Sequence, residues 1–167
     1  RFDEEANIYW SGVLQQAGAT VLSGIPGLKV HSKLILNKRK EYDGYRLYAN
    51  VGTGNFHEKT GNIYCDNALL TADPLITADV EKVFDFIQMP YRIPHFNTLI
   101  VSPFSTRAHF IRLIDTEIRN ARLGRPAWII LKMNSLSDIN LINKLYRASQ
   151  AGVKISLIIR GICKLVP

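Results

Sequence analysis

Lys29, His31 and Lys33 alternate through the stretch Pro26 to Leu36, which reads Pro-Gly-Leu-Lys-Val-His-Ser-Lys-Leu-Ile-Leu. As a β-strand, this stretch puts these three on one face and Leu28, Val30, Leu34 and Leu36 on the other. An imidazole between two ammonium groups suits phosphate, because the lysines neutralise its oxygens while the neutral ring attacks phosphorus. The ordinary alternative is a solvated strand face that happens to contain a histidine. Alternation supplies a geometry and leaves the chemistry open.

The surrounding pattern predicts the elements that would hold this strand. Asp3 to Gln16 reads as a helix stopped at Gly18, and Thr20 to Ser23 as a short buried strand. The central strand is expected to run from Pro26 to about Lys38, followed by a polar connection ending in Asp43-Gly44 and a return strand from Tyr45 to Val51. Such a hairpin would set Arg46, Tyr48 and Asn50 beside Lys29, His31 and Lys33. Gly52-Thr53-Gly54-Asn55 follows at the strand end, where backbone N–H groups can point at an anion, although an ordinary turn explains it as well. Asn62 to Leu70 reads as a further strand carrying Tyr64 and Asp66. Thr77 to Met89 reads as a helix with Thr77 as its N-cap.

Pro90 to Asn97 is the best internal boundary, giving expected domains of 1–92 and 93–167. Beyond it strands (Thr98 to Val101, Ala127 to Lys132, Lys154 to Ile159) alternate with helices (Thr106 to Arg122, Ser137 to Gln150), which implies parallel pairing and an α/β class. Gln16-Ala17-Gly18 and Gln150-Ala151-Gly152 form a weak internal repeat, each after an amphipathic helix.

A chain of 167 residues with 47% hydrophobic residues can bury one ordinary core or two small ones, and its net charge of +7 favours anionic partners. From charge alone nucleic acid, nucleotide, polyphosphate and acidic lipid all remain open. Cys65 and Cys163 match no metal-ligand spacing, and no apolar run is long enough to cross a bilayer. The ends at Arg1 and Pro167 look cut from something longer.

Other nucleotide signatures fail. The Walker pattern needs glycine where Thr53 and Glu58 stand before Lys59-Thr60, and neither a dinucleotide fingerprint nor a protein-kinase set is present. His57 repeats the His-x-Lys spacing among turn residues, His95 sits in the linker, and His109 lies on a helix beside Phe110 and Arg112. Arg160, at the end of an apolar strand, suits a phosphate clamp or a solvated strand end equally. Arg107, at a helix start, and Arg1, before an acidic run, are similarly open.

The segments Arg1-Phe-Asp-Glu-Glu-Ala-Asn-Ile, Gly27-Leu-Lys-Val-His-Ser-Lys-Leu, Gly52-Thr-Gly-Asn-Phe-His-Glu-Lys-Thr, Val101-Ser-Pro-Phe, Gln150-Ala-Gly-Val-Lys-Ile and Arg160-Gly-Ile-Cys, in this order, resemble bacterial polyphosphate kinase of the first type. The resemblance covers the whole chain. It implies a phospholipase D-like mixed sheet flanked by helices, N-terminally truncated, followed by the opening part of a second such domain. It also implies that His31 is phosphorylated by ATP, that Tyr64 and Arg160 bind nucleotide, and that Arg1 belongs to the Mg2+ site. A guanidinium has no lone pair to give a cation, so Arg1 is read as a phosphate clamp beside magnesium. Asn50 stands where some members carry a second histidine.

The expected reaction is reversible transfer of the ATP γ-phosphate to inorganic polyphosphate through phosphohistidine, with Lys33, Arg1, Arg160, magnesium and Asn55 neutralising charge. ATP, ADP and polyphosphate, and not nucleic acid, are the expected partners. The family implies a homo-oligomer, dimer or tetramer, at full length. The expected location is cytoplasmic, with peripheral attachment to the inner membrane face left open. The chain alone is expected to be inactive, since the adenine-binding head and the second catalytic histidine lie outside it. A phospholipase D-like phosphodiesterase and a non-catalytic polyanion-binding module are the competing readings.

Overall fold

In the computed structural model, which describes residues 4–167, the chain is mixed α/β and divides into two compact units, Arg1–Leu99 and Ile100–Pro167. In the first unit, helix α1 (Glu4–Gln16) stops where Gly18 takes a positive φ of 88°. That left-handed turn lets Ala19 N–H donate to Leu14 O at 2.9 Å, as a glycine-terminated helix requires.

No strand forms between α1 and Lys33. The expected strand at Thr20 to Ser23 is absent, and the central strand starts at Lys33 instead of Pro26. Pro26 has no N–H, Gly27 has φ 75°, and Leu28 N–H closes a turn onto Ile25 O at 3.1 Å. The partner strand also runs out, because Gly52 pairs with Lys33 and the chain then turns away. Residues before Lys33 therefore have no ladder to join.

Strand β1 (Lys33–Glu41) and strand β2 (Gly44–Gly52) form a hairpin joined by Tyr42 and Asp43 alone, tighter than the expected connection. Directly paired residues share a face, so Lys33, Ile35, Asn37 and Arg39 lie with Gly52, Asn50, Tyr48 and Arg46. Arg46 and Tyr48 thus sit far along the hairpin from Lys33, which corrects the expected clustering. Helix α2 (Glu58–Gly61) is a single turn, and strand β3 (Ala68–Thr71) pairs antiparallel with β2. The expected strand at Asn62 to Leu70 is only this short, leaving Tyr64 and Asp66 in the loop before it.

Helix α3 (Pro74–Gln88) lies on the opposite face of the hairpin from Lys33, where Lys38 pairs with Glu81 at 3.5 Å. Its cap is Asp73, whose carboxylate accepts from Leu75 and Ile76 N–H, and not Thr77, which is buried in the first turn. Val80 and Ala49 are buried in this unit.

The expected strand at Thr98 to Val101 does not form, because its backbone is already committed. Asn97, Thr98 and Leu99 N–H donate to Asp79 Oδ2 at 2.8, 2.7 and 3.0 Å, and Lys82 Nζ reaches Asp79 Oδ1 at 2.7 Å. Asp79 is wholly buried, which raises its pKa, but the Lys82 ammonium and the three N–H donors outweigh this and hold it at about 2.

The second unit consists of helix α4 (Thr106–Arg122), strand β4 (Trp128–Met133), helix α5 (Ile139–Gln150) and strand β5 (Lys154–Ile159). The strands pair in parallel, Trp128 with Lys154 through Met133 with Ile159, as the alternating pattern predicts. The parallel pairing is confined to this unit, whereas the three-stranded sheet of the first is wholly antiparallel. Ile114, Ile118, Ile129, Ile142, Leu145 and Val153 lead its core. Asp138 caps α5 by accepting Leu141 N–H, and Gly152, at φ 92°, stops it as Gly18 stops α1.

Candidate functional site

Strand pairing gathers one group of polar residues at the open end of the first hairpin. Lys33 begins β1 opposite Gly52, and Gly52 also pairs with Ala68. The loops Thr53–Asn55 and Asp66–Asn67 therefore leave the sheet beside Lys33. Thr53 joins them: its hydroxyl donates to Asp66 Oδ1 at 2.9 Å, its N–H to Asn67 O at 3.0 Å, and its Oγ1 accepts from Asn67 N–H at 2.9 Å.

Gly54 is required by this closeness. A Cβ there would lie 2.6 Å from Asp66 Oδ2 and 2.8 Å from Asp66 Cβ. The Gly-x-Gly signal in the sequence thus marks a backbone approach to a side chain. Neither Asp66 nor Asn67 carries a sequence signal for this site, and the strand expected across them hides their place in the loop.

His31 lies just before β1, in irregular backbone, and is exposed. Lys33 curls back onto it. Its Nζ donates to His31 O at 2.8 Å and stands 3.1 Å from Nδ1 and 3.3 Å from Nε2. An ammonium has only hydrogens to offer, so the ring nitrogen that it engages must be an acceptor. Lys33 is only 9% exposed, yet no carboxylate pairs with it among the described residues. A buried ammonium without a counter-ion favours an incoming anion. Asn50, two residues from Gly52 on the same face, has a buried side-chain oxygen with no partner among the described residues.

The remaining expected residues are largely exposed. Lys29 is exposed before the strand, Asn55 is exposed in the loop with its carbonyl accepting from His57 N–H, and Tyr64 is 49% exposed after α2. Arg1 lies outside the described residues. His95 accepts Lys82 Nζ through its carbonyl, and His109 Nδ1 is 3.2 Å from Arg112 Nη2.

In the second unit Arg160 directly follows β5, at the carboxyl end of the parallel pair. Its Nε donates to Asn134 Oδ1 at 2.9 Å, and Gly161 N–H to Asn134 O at 2.6 Å. Gly161 fits this approach, since a Cβ would meet Asn134 O at 2.8 Å. Asn134 had no signal in the sequence beyond its place after an apolar strand. Arg107 is tied to Asp138 by Nε at 2.8 Å and Nη2 at 2.7 Å. The Asp138 carboxyl is held below its ordinary range chiefly by Leu141 N–H, with Arg107 adding to it.

Among the described residues no three His, Cys, Asp or Glu side chains cluster as a metal cage. No helix among them is long and apolar enough to cross a membrane.

Comparison with known proteins connects these observations. The family models described as polyphosphate kinase C-terminal domain 1 and C-terminal domain 2 match residues 1–93 and 99–167. Curated polyphosphate kinases from Vibrio cholerae, Salmonella typhimurium and Escherichia coli K12 are 57%, 51% and 50% identical over all 167 residues. The crystal structure of polyphosphate kinase from Porphyromonas gingivalis superposes with a TM-score of 0.82 at 41% identity, covering 100% of this chain and 28% of that one. The chain spans about a quarter, 24%, of the length of those curated relatives. Two family matches that together cover nearly every residue, with relatives at this identity, show that the chain belongs to the polyphosphate kinase family.

Proposed function

We propose that this chain is part of a polyphosphate kinase that transfers the γ-phosphate of ATP to polyphosphate through a phosphohistidine at His31. The observation that carries the reading is the buried Lys33 ammonium, with no carboxylate partner among the described residues, standing 3.1 Å from the His31 ring. The ring nitrogen attacks phosphorus with its lone pair, the bond from phosphorus to the bridging oxygen of ADP breaks, and ADP leaves with that electron pair. To expose the lone pair Lys33 turns from the ring to the phosphate oxygens, whose charge it then neutralises. The terminal phosphate oxygen of polyphosphate next attacks phosphorus, and the nitrogen recovers its pair.

Asn55 would offer its polar groups to phosphate from the loop beside Lys33. Tyr64 and Arg160 are proposed to bind nucleotide, and Arg1 to hold phosphate beside magnesium, on the resemblance of their positions. Magnesium is proposed to arrive as Mg-ATP, bound mainly through the phosphates. Residues 1–92 are proposed as the N-terminally truncated first C-terminal domain and residues 93–167 as the opening part of the second, each with a phospholipase D-like fold. A homo-oligomer and a cytoplasmic location belong to the same proposal.

The test uses full-length protein with ATP and polyphosphate. ADP release matched by chain growth, and lost in His31→Ala, supports the reading. So does overall retention at a chiral phosphoryl group, because two displacements at phosphorus restore its configuration. Cleavage of a phosphodiester without ATP would instead identify a phosphodiesterase, and inversion would exclude the covalent step.

A further inference from the structure

The second unit carries a cationic groove that the phosphoryl-transfer proposal does not use. On α4, Arg112, Asp115, Arg119 and Arg122 follow at intervals of three or four residues and so form one stripe, about 15 Å long at 1.5 Å per residue. On α5, Lys144 and Arg147 form a second stripe. The two helices border a groove of about 480 Å³ lined by Asp115 and Arg122 on one side and Lys144 and Arg147 on the other. Arg112 and Arg119 extend it along α4.

The charge is largely uncompensated. Among the described residues Asp115 is the one acid lining the groove, and Lys144 takes it at 2.5 Å. Arg112, Arg119, Arg122 and Arg147 are exposed and make no ion pair among the described residues. Glu117 is turned away and accepts from Asn120 and from Trp128 N–H. Four guanidiniums without an acidic partner among the described residues form an elongated site of the kind that holds a chain of phosphates, and not a single one.

We propose that the α4–α5 groove binds a stretch of polyphosphate away from the reacting end, as a holding track for long chains. This rests on the polyphosphate kinase reading for the identity of the polyanion. The groove adds affinity for long chains and leaves the reaction at the chain terminus unchanged.

Binding of end-labelled long-chain polyphosphate to full-length protein is measured by fluorescence anisotropy across a salt series. The His31→Ala background removes turnover. With R119Q/R122Q/R147Q the affinity is expected to fall about tenfold or more at low salt. The slope of log affinity against log salt should fall by about 2, at roughly 0.7 per lost contact. R119K/R122K/R147K, which keeps the charge, should retain both affinity and slope. In the His31-containing enzyme, the neutral variant should raise KM for long chains and leave kcat and KM for short chains unchanged. Unchanged affinity and slope in the neutral variant would overturn the proposal. Displacement of the label by single-stranded RNA at equal or lower phosphate concentration would overturn the assignment to polyphosphate. If His31→Ala retained full turnover the kinase mechanism would fail, while the anisotropy difference would still report on the groove.

Discussion

Lys33 Nζ lies 3.1 Å from His31 Nδ1 and 2.8 Å from His31 O, so the lysine folds back across one intervening residue onto both ring and backbone. Its charge is mostly buried and has no carboxylate partner among the described residues. Lys33→Met keeps the apolar stem and removes the charge. Phosphorylation of His31 is expected to slow on the order of 100-fold, a loss typical of removing one preorganised transition-state contact. The melting temperature should hold or rise, because an unpaired buried charge is removed. Rapid-quench labelling and thermal unfolding of the same variant separate the two effects, and a fall in both by simple unfolding would count against this role.

Gly54 sits against Asp66 so closely that alanine cannot fit without movement. Gly54→Ala should cost about 1–3 kcal/mol by overpacking. Asp66→Gly in the same chain should recover most of it, since both contacting side-chain groups are then gone. Urea unfolding of the two single variants and the double variant measures the coupling, and strict additivity would contradict the contact.

Asp79 holds the segment Asn97–Leu99 by three backbone bonds. Its folded pKa of about 2 lies below its ordinary 3.8. The stabilisation is therefore complete above about pH 4 and lost as pH falls from there through 2, and it is worth about 2 kcal/mol at neutral pH. Asp79→Asn should lower the melting temperature at pH 7 and flatten its decline between pH 5 and 2. Parallel declines in the two proteins would exclude Asp79 as the titrating group.

Asn134 accepts from Arg160 Nε and so aims the guanidinium. If Arg160 binds nucleotide, Asn134→Ala should raise KM for ATP a few-fold, and Arg160→Ala about tenfold, the worth of one charge-assisted bond. Initial rates with kcat resolved from KM decide this, and a change in kcat alone would point elsewhere.

The helices were legible because their apolar spacing and stops are local: α4 spans the expected Thr106 to Arg122, and Gly18 and Gly152 end α1 and α5. The strands were less so. Alternation from Leu28 to Leu36 is real, but a strand needs a partner, and β2 ends opposite Lys33. His31 therefore lies outside the ladder, and Lys33 reaches it by folding its side chain back onto the ring and carbonyl. The segment after Thr98 reads as strand in isolation, yet Asp79, nineteen residues earlier, takes its N–H groups. The juxtaposition of His31 and Lys33 was legible in residue type and spacing, while the places of Asp66 and Asn134 required the fold.

The most direct measurement is the site of phosphate attachment. Full-length protein mixed briefly with γ-labelled ATP, without polyphosphate, should gain about one label per chain, stable to alkali and labile to acid, on His31. The label should leave as longer polyphosphate when acceptor is added. A label on any other residue, or chain growth at an undiminished rate in His31→Ala, would contradict the account.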